Sequence, residues 1–132
     1  MIRRLTIDDI KNILTWDKHF FVEQLQTMIS NPNYFNLGLF VNNTLISYML
    51  NTISHDSIDL IWIATHPQYR AQGYATQLIK EIISSHKNTP IFLEVDEKNN
   101  KVINLYKKMG FIRVHIRNKY YSNSHNAIVM KK

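Results

Sequence analysis

The sequence contains no cysteine, which excludes both a disulfide framework and a thiolate metal site. It has no apolar run approaching the ~20 residues needed to cross a bilayer. Met1-Ile2-Arg3-Arg4-Leu5 meets Asp8 and Asp9 at once, so the apolar centre of a signal peptide is missing too. No internal repeat, low-complexity tract or linker interrupts the chain. These absences lead us to expect a cytoplasmic protein with no membrane partner. One end also lacks acid. Residues 98–132 hold nine Lys and Arg and no Asp or Glu, whereas residues 1–97 hold all ten acids against seven bases. The formal charge of +6 therefore combines a body of −3 with an end of +9. Such an end attracts polyanions: a nucleotide cofactor, an acidic peptide or RNA. It reads equally well as a solvated face.

What is present is a globular pattern. The chain has 132 residues, 45% of them hydrophobic, so one domain over 1–132 with a core of its own is expected. A short strand ends at Arg3-Arg4-Leu5. Thr6 with Asp9 opens a helix carrying Ile10, Ile13 and Leu14, and Phe21, Leu25, Met28 and Ile29 mark a second over 19–30. Asn31-Pro32-Asn33 stops it. Strands follow at 34–41 and 44–53, joined by a tight Asn42-Asn43 turn. From Ile58 to Ala64 alternation puts Ile58, Leu60, Trp62 and Ala64 on one face, with Asp59, Ile61 and Ile63 on the other.

The helical template fits best at Ala75, Leu78, Ile79, Ile82 and Ile83, giving a helix over 74–86. Ile91 to Val95 is a strand. Val102, Leu105, Tyr106 and Met109 form a helix opened by Asn99 or Asn100 and closed by Gly110. Phe111 to Arg117 alternates with Ile112, Val114 and Ile116 on one side, and a last strand spans Ala127 to Met130. The order implies an α+β, mixed α/β sandwich around one sheet.

Between a strand and the 74–86 helix lies Arg70-Ala71-Gln72-Gly73-Tyr74-Ala75-Thr76. A glycine there lets successive N–H groups converge on one concavity, and the helix start adds its positive end, which suits a phosphate. The loop is neither a three-glycine dinucleotide fingerprint nor a Walker loop. Taken alone, one glycine between strand and helix is commonly just a turn.

The whole stretch Ile63-Ala64-Thr65-His66-Pro67-Gln68-Tyr69-Arg70-Ala71-Gln72-Gly73-Tyr74-Ala75-Thr76 closely resembles the signature of the GNAT superfamily of N-acetyltransferases. Leu93-Glu94-Val95, Asn99-Asn100, Leu105-Tyr106, Gly110-Phe111 and Arg117-Asn118-Lys119-Tyr120-Tyr121 are similar to the ribosomal-protein-alanine N-acetyltransferase (RimI) branch. The likeness is strong over 58–130 and thin over 1–55. It implies a GNAT fold: a central, mostly antiparallel, splayed sheet of about seven strands with about four helices. It also implies acetyl-CoA as co-substrate. Its pantetheine would pair with backbone of Ile63, Ala64 and Thr65, and its pyrophosphate would be held by the N–H groups of 71–76. Asn99 matches a cofactor contact, and Ala75 stands where many relatives have glycine.

Amide formation from a thioester needs a neutral amine, a stabilised oxyanion and a proton for the leaving thiolate. The resemblance assigns the base to Glu94 and the acid to Tyr106, with an oxyanion donor on the backbone near Ala64 or Thr65. From the residues alone, Glu94 could equally be a solvent-facing strand residue and Tyr106 a core residue of its helix stripe. Tyr120 and Tyr121 match a pair lining the peptide entrance, or are edge tyrosines. The six histidines show no ligand spacing, so no metal is expected.

The first expectation is transfer to a protein N-terminal α-amine, with a ribosomal protein among the candidate partners and nucleic acid involved only indirectly. An alternative is a GNAT enzyme for a small amine or antibiotic, which Asp17, Glu23 and Asp56 keep open. Another is a non-catalytic CoA- or RNA-binding module. Residues 16–23 lack the Pro-Trp-Ser element common in the RimI branch, so the acceptor is less constrained than the donor.

Overall fold

Thr6 and Asp9 begin the first helical segment. The Asp9 carboxylate accepts the Thr6 backbone N–H at 2.8 Å and, through both oxygens, the Arg3 guanidinium at 2.9 Å. One buried acid thereby ties β1 (Ile2–Arg4) to α1 (Ile10–Trp16). The computed structural model describes residues 1–118 and 124–132. Along them follow α2 (Val22–Ser30), β2 (Leu37–Val41), β3 (Thr44–Ile53), β4 (Ile58–Thr65), α3 (Tyr74–Ser85), β5 (Ile91–Asp96), α4 (Asn100–Lys108), β6 (Ile112–Arg117) and β7 (Ala127–Lys131). The expected order of elements is the observed one. Residues 34–36 precede β2 rather than joining it, and 19–21 lie in the loop before α2.

All seven strands form one sheet in the order β1-β2-β3-β4-β5-β7-β6, and every pairing except β4 with β5 is antiparallel. The β2–β3 hairpin turns on Asn42 (φ 50°) and Asn43 (φ 65°), both left-handed, the conformation a two-residue hairpin of right-twisted strands requires. Asparagine fills it because its short polar side chain tolerates that region better than most. The helices cover both faces. Ile10, Ile13 and Leu25 of α1 and α2 pack on Phe40, Leu45, Tyr48 and Leu50, while Leu78, Ile82, Ile103 and Tyr106 of α3 and α4 pack on Met49, Ile58, Leu93 and Ile128. No helix among the described residues is long and apolar enough to cross a membrane.

Three strands depart from strict alternation, each through a β-bulge. In β3, Leu45 pairs with Phe40 and Ser47 with Leu39, leaving Ile46 as the extra residue. In β4, Leu60 pairs with Asn51 and Trp62 with Leu50, leaving Ile61 as the extra residue. The bulge reverses the facing of every residue beyond it on the strand. Leu60 and Ile63 pack towards α3, whereas Trp62 and Ala64 join the α1–α2 side, so the four residues expected on one face are split between two. In β6, Arg113 pairs with Met130 and His115 with Val129, so Val114 is the extra residue. Ile112, Val114 and Ile116 therefore do not share one core-facing stripe, and all three are exposed on the last strand of the sheet.

The Asp9 contacts generate a pH prediction. Burial alone would push this carboxyl up, but the Arg3 guanidinium and the Thr6 N–H and hydroxyl outweigh it and hold it below its ordinary value. A carboxyl lowered by folding contributes stability above its unfolded pKa of ~3.9, and that contribution is lost as pH falls through the folded value. Asp9→Asn should cost about 2 kcal/mol in urea denaturation at pH 7, and the difference from wild type should shrink towards pH 3.

Candidate active site

The decisive geometry is where two parallel strands part. β4 and β5 pair only at Ile58 with Ile91 and Asp59 with Phe92. Beyond these rungs β5 continues beside β7, and β4 stays beside β3 alone. The His66 N–H donates to the Ile46 carbonyl, and the Ala64 carbonyl accepts the Ser47 hydroxyl. Since strand residues alternate in the side to which their backbone groups point, Ile63 and Thr65 turn theirs towards the gap left by β5. Ala64 turns its own to β3. Apart from the Thr65 carbonyl, which accepts Arg70 Nε–H, the gap presents a short strand edge with no partner among the described residues, which an extended, amide-bearing chain can complete.

The loop after β4 stands at the mouth of this gap. Ala71 (φ 61°) and Gly73 (φ 86°) both adopt left-handed backbone, and the second begins α3 directly. Alternating handedness of this kind turns consecutive N–H groups inward, and the first N–H groups of α3, at Tyr74, Ala75 and Thr76, have no partner inside the helix. A Cβ built on Gly73 meets nothing within 4 Å, so the space beside the loop is open. Arg70 donates from Nε to the Thr65 carbonyl at 3.1 Å, bracing the loop against the end of β4, and Gln72 donates to the Gln68 carbonyl. His66 accepts the Gln68 N–H through Nδ1 and is a turn residue. A diphosphate and an amide-bearing arm both fit these groups.

Two cavities open along the parted strands. The larger, about 750 Å³, is lined by Asp59, Leu60, Ile61, Trp62, Phe92 and Glu94 with His19, Arg117 and Val129. The smaller, about 380 Å³, is lined by Asp17, Trp62, Ile63, Ala64, Thr65, Arg70 and Ala75. Trp62 walls both, and its indole stacks on the His19 ring at 3.7 Å and 9°. On β5, Leu93 and Val95 face the core under α3 and α4, so Glu94 projects from the opposite face into the larger cavity. There its Oε1 lies 3.2 Å from Arg117 Nε. The bulge in β6 sets this pairing. Arg113 is opposite Met130 on the core face, while Arg117 is opposite Ala127 and hence beside Asp96, on the face that carries Glu94.

Tyr106 lies on the core side of α4, 6% exposed, its ring 5.6 Å from that of Phe111. Among the described residues no hydrogen bond occupies its hydroxyl, and burial pushes the phenol up to about 12, so it remains a proton donor through neutral pH. Asn99 caps α4, its Oδ1 accepting the Val102 N–H at 3.4 Å. It sits just beyond the C-terminal end of β5, at the end of the sheet where the Arg70–Thr76 loop leaves the parallel strand β4. Tyr120 and Tyr121 lie outside the described residues. Sequence reasoning missed Arg117 as the Glu94 partner and Trp62 and His19 as cleft walls. Both depend on bulges and on packing of the α1–α2 loop, for which periodicity carries no signal.

Comparison with known proteins agrees with this geometry. The model of the acetyltransferase (GNAT) family matches residues 5–111. The ribosomal protein bS18-alanine N-acetyltransferase of Haemophilus influenzae is 35% identical over 74% of this chain and 70% of its own. The N-alpha-acetyltransferase of Saccharolobus solfataricus is 26% identical over 99% of this chain and 91% of its own. In three dimensions, the ribosomal-protein-S18-alanine N-acetyltransferase of Escherichia coli superimposes with a TM-score of 0.90, covering 99% of this chain and 91% of that one at 24% identity. With its parted strands, its phosphate-suited loop and these relatives, the chain belongs to the acetyltransferase (GNAT) family and is an acetyl-CoA-dependent N-acetyltransferase.

Proposed function

We propose that the acceptor is the α-amine of a protein N-terminus, a ribosomal protein being one candidate, with Glu94 as base and Tyr106 as acid. The observation that carries the reading is the placement of Glu94 in the larger cavity, on the face of β5 turned away from the core and next to the gap along β4. An acyl acceptor approaching the end of a chain laid on β4 meets that carboxylate first. The named activities of the bS18-alanine and N-alpha relatives point the same way.

Acetyl-CoA supplies an acetyl group already activated as a thioester. The Arg70–Thr76 loop would hold its pyrophosphate through the N–H groups of 71–76, with Asn99 beside it, and Ile63 and Thr65 would pair with the pantetheine amides. Ala64 completes that wall. A backbone N–H on this edge would stabilise the negative charge developing on the carbonyl oxygen. Glu94, directly or through one water, takes the proton released as the amine nitrogen bonds to the acyl carbon. Tyr106 gives its proton to the departing sulfur as the carbon–sulfur bond breaks. An α-amine of pKa near ~8 is partly neutral at pH 7, whereas a lysine amine near ~10.4 is almost wholly charged. A single carboxylate therefore deprotonates the first far more readily than the second. Tyr120 and Tyr121 remain proposed contacts at the peptide entrance.

Three outcomes are expected. Acetyl-CoA at ~100 times its Kd should stabilise the protein by about 2.7 kcal/mol, seen as a rise in Tm, and Gly73→Val should remove the shift by disfavouring the left-handed loop. The absence of a shift at millimolar acetyl-CoA in the wild type would contradict the loop assignment. Glu94→Gln and Tyr106→Phe should each lower kcat about 10²–10⁴-fold with little change in cofactor affinity. Near-wild-type turnover in both would mean that positioning alone carries catalysis. Finally, kcat/KM should be higher for a peptide with a free N-terminal Ala than for the same peptide blocked and carrying a lysine. Faster acetylation of the blocked peptide would overturn the N-terminal assignment, and activity confined to small polyamines or aminoglycosides would make this a small-amine enzyme.

A further inference from the structure

The proposed base has little to hold it in place. Glu94 carries its carboxylate on a long, flexible arm, and its neighbours in the sheet on that face cannot fix it. Val129, directly opposite on β7, and Phe92, two residues back on β5, are apolar. Asp96, two residues on, is itself an acid and is bound to His125 Nδ1 at 2.9 Å. Among the described residues the Glu94 carboxylate has one polar partner, the Arg117 guanidinium, at 3.2 Å from Nε to Oε1.

That partner comes from two strands away. β7 lies between β5 and β6, so the pair spans about 10 Å of sheet. Two local features let it close. The bulge at Val114 puts Arg117 opposite Ala127, and hence on the face that carries Glu94. The β7 residue beside Arg117 is then an alanine, whose single methyl keeps the surface of β7 low where the long side chain must cross it.

The guanidinium is half exposed, so solvent screens its charge, and such a pair adds little to stability because ordering two long side chains costs entropy. A reaction can use that ordering. A base already fixed in position need not be ordered in the transition state, and holding one glutamate side chain still is worth on the order of tenfold in rate. The pair therefore shows its effect in turnover rather than in the folding equilibrium.

We propose that Arg117 is a positioning residue: it holds the Glu94 carboxylate in the larger cavity, in the orientation from which that group takes the proton of the attacking amine. The proposal rests on the reading of Glu94 as base. It is tested by steady-state kinetics with the free N-terminal Ala peptide, or with spermidine if only small amines react, on wild type, Arg117→Ala, Arg117→Lys, Glu94→Gln and the double variant Arg117→Ala with Glu94→Gln.

Arg117→Ala should lower kcat about tenfold while Tm and the KM for acetyl-CoA stay near wild type. Arg117→Lys, which keeps a cation on a long arm, should recover to within about threefold of wild type. With Glu94→Gln there is no base left to position, so adding Arg117→Ala should change kcat by less than about twofold. Residual turnover there is read by mass spectrometry at high enzyme concentration, where single turnovers suffice. If Arg117→Ala does not fold, Arg117→Met, which keeps the arm without the charge, takes its place. An Arg117→Ala variant within about twofold of wild type, a lysine variant as slow as the alanine one, or an equal loss in the Glu94→Gln background each overturns the proposal. Slow Glu94→Gln with fast Arg117→Ala defeats the positioning role alone, whereas near-wild-type Glu94→Gln removes the base assignment and the proposal with it.

Discussion

The structure is organised by two rungs of parallel pairing, Ile58 with Ile91 and Asp59 with Phe92, after which β4 and β5 separate. A buried or half-buried strand edge without partners is costly, because each amide group on it has given up water without gaining a protein hydrogen bond. The fold keeps that edge short and leaves it facing a cleft that solvent or a ligand can fill. Everything chemically relevant then gathers around it: the loop that opens α3 at the end of β4, Glu94 on the neighbouring strand, and the α1–α2 loop laid over Trp62. Without the separation, the last residues of β4 would be paired to β5 like any others, and no strand edge would be left open between them.

Charge is distributed with the same economy. Glu94 lies in a cavity with a guanidinium at 3.2 Å, whereas Asp17 is held by a phenol, an indole and a backbone amide. Tyr106 carries no charge at neutral pH, as is usual for a phenol, and burial pushes its pKa further up, to about 12. The phenol in the core and the two carboxylates in neighbouring cavities each behave according to their neighbours rather than their residue type. The basic end of the chain contributes to this directly, since Arg117 belongs to it.

Much of this was legible from residue order. Helical spacing at Leu78, Ile79 and Ile82 located α3, Asn42-Asn43 marked the β2–β3 hairpin, and the stretch from Ile63 to Thr76 pointed to the family. The parts that stayed hidden depend on one-residue offsets between strands. Trp62 reads as a face-mate of Leu60 until the bulge at Ile61 reverses it, and Arg113 and Arg117 read as equivalents until Val114 separates them. Alternation is a local rule, and a bulge is set by the partner strand, so no window of sequence contains the answer. The contacts of Asp17 were hidden for a related reason, since Tyr48 lies 31 residues away and Trp62 lies 45 residues away.

The bulge at Val114 has a second effect, at the rim of the sheet. β6 is the terminal strand, and Ile112, Val114 and Ile116 stand exposed on it. A flat, apolar terminal strand is a template on which another molecule's strand can grow, the first step towards aggregates. The extra residue disrupts the regular ladder of this strand and increases its twist, with Arg113 and Arg117 turned to opposite faces on either side of it. The same irregularity that sets a guanidinium beside Glu94 thus breaks the flatness that such a template needs.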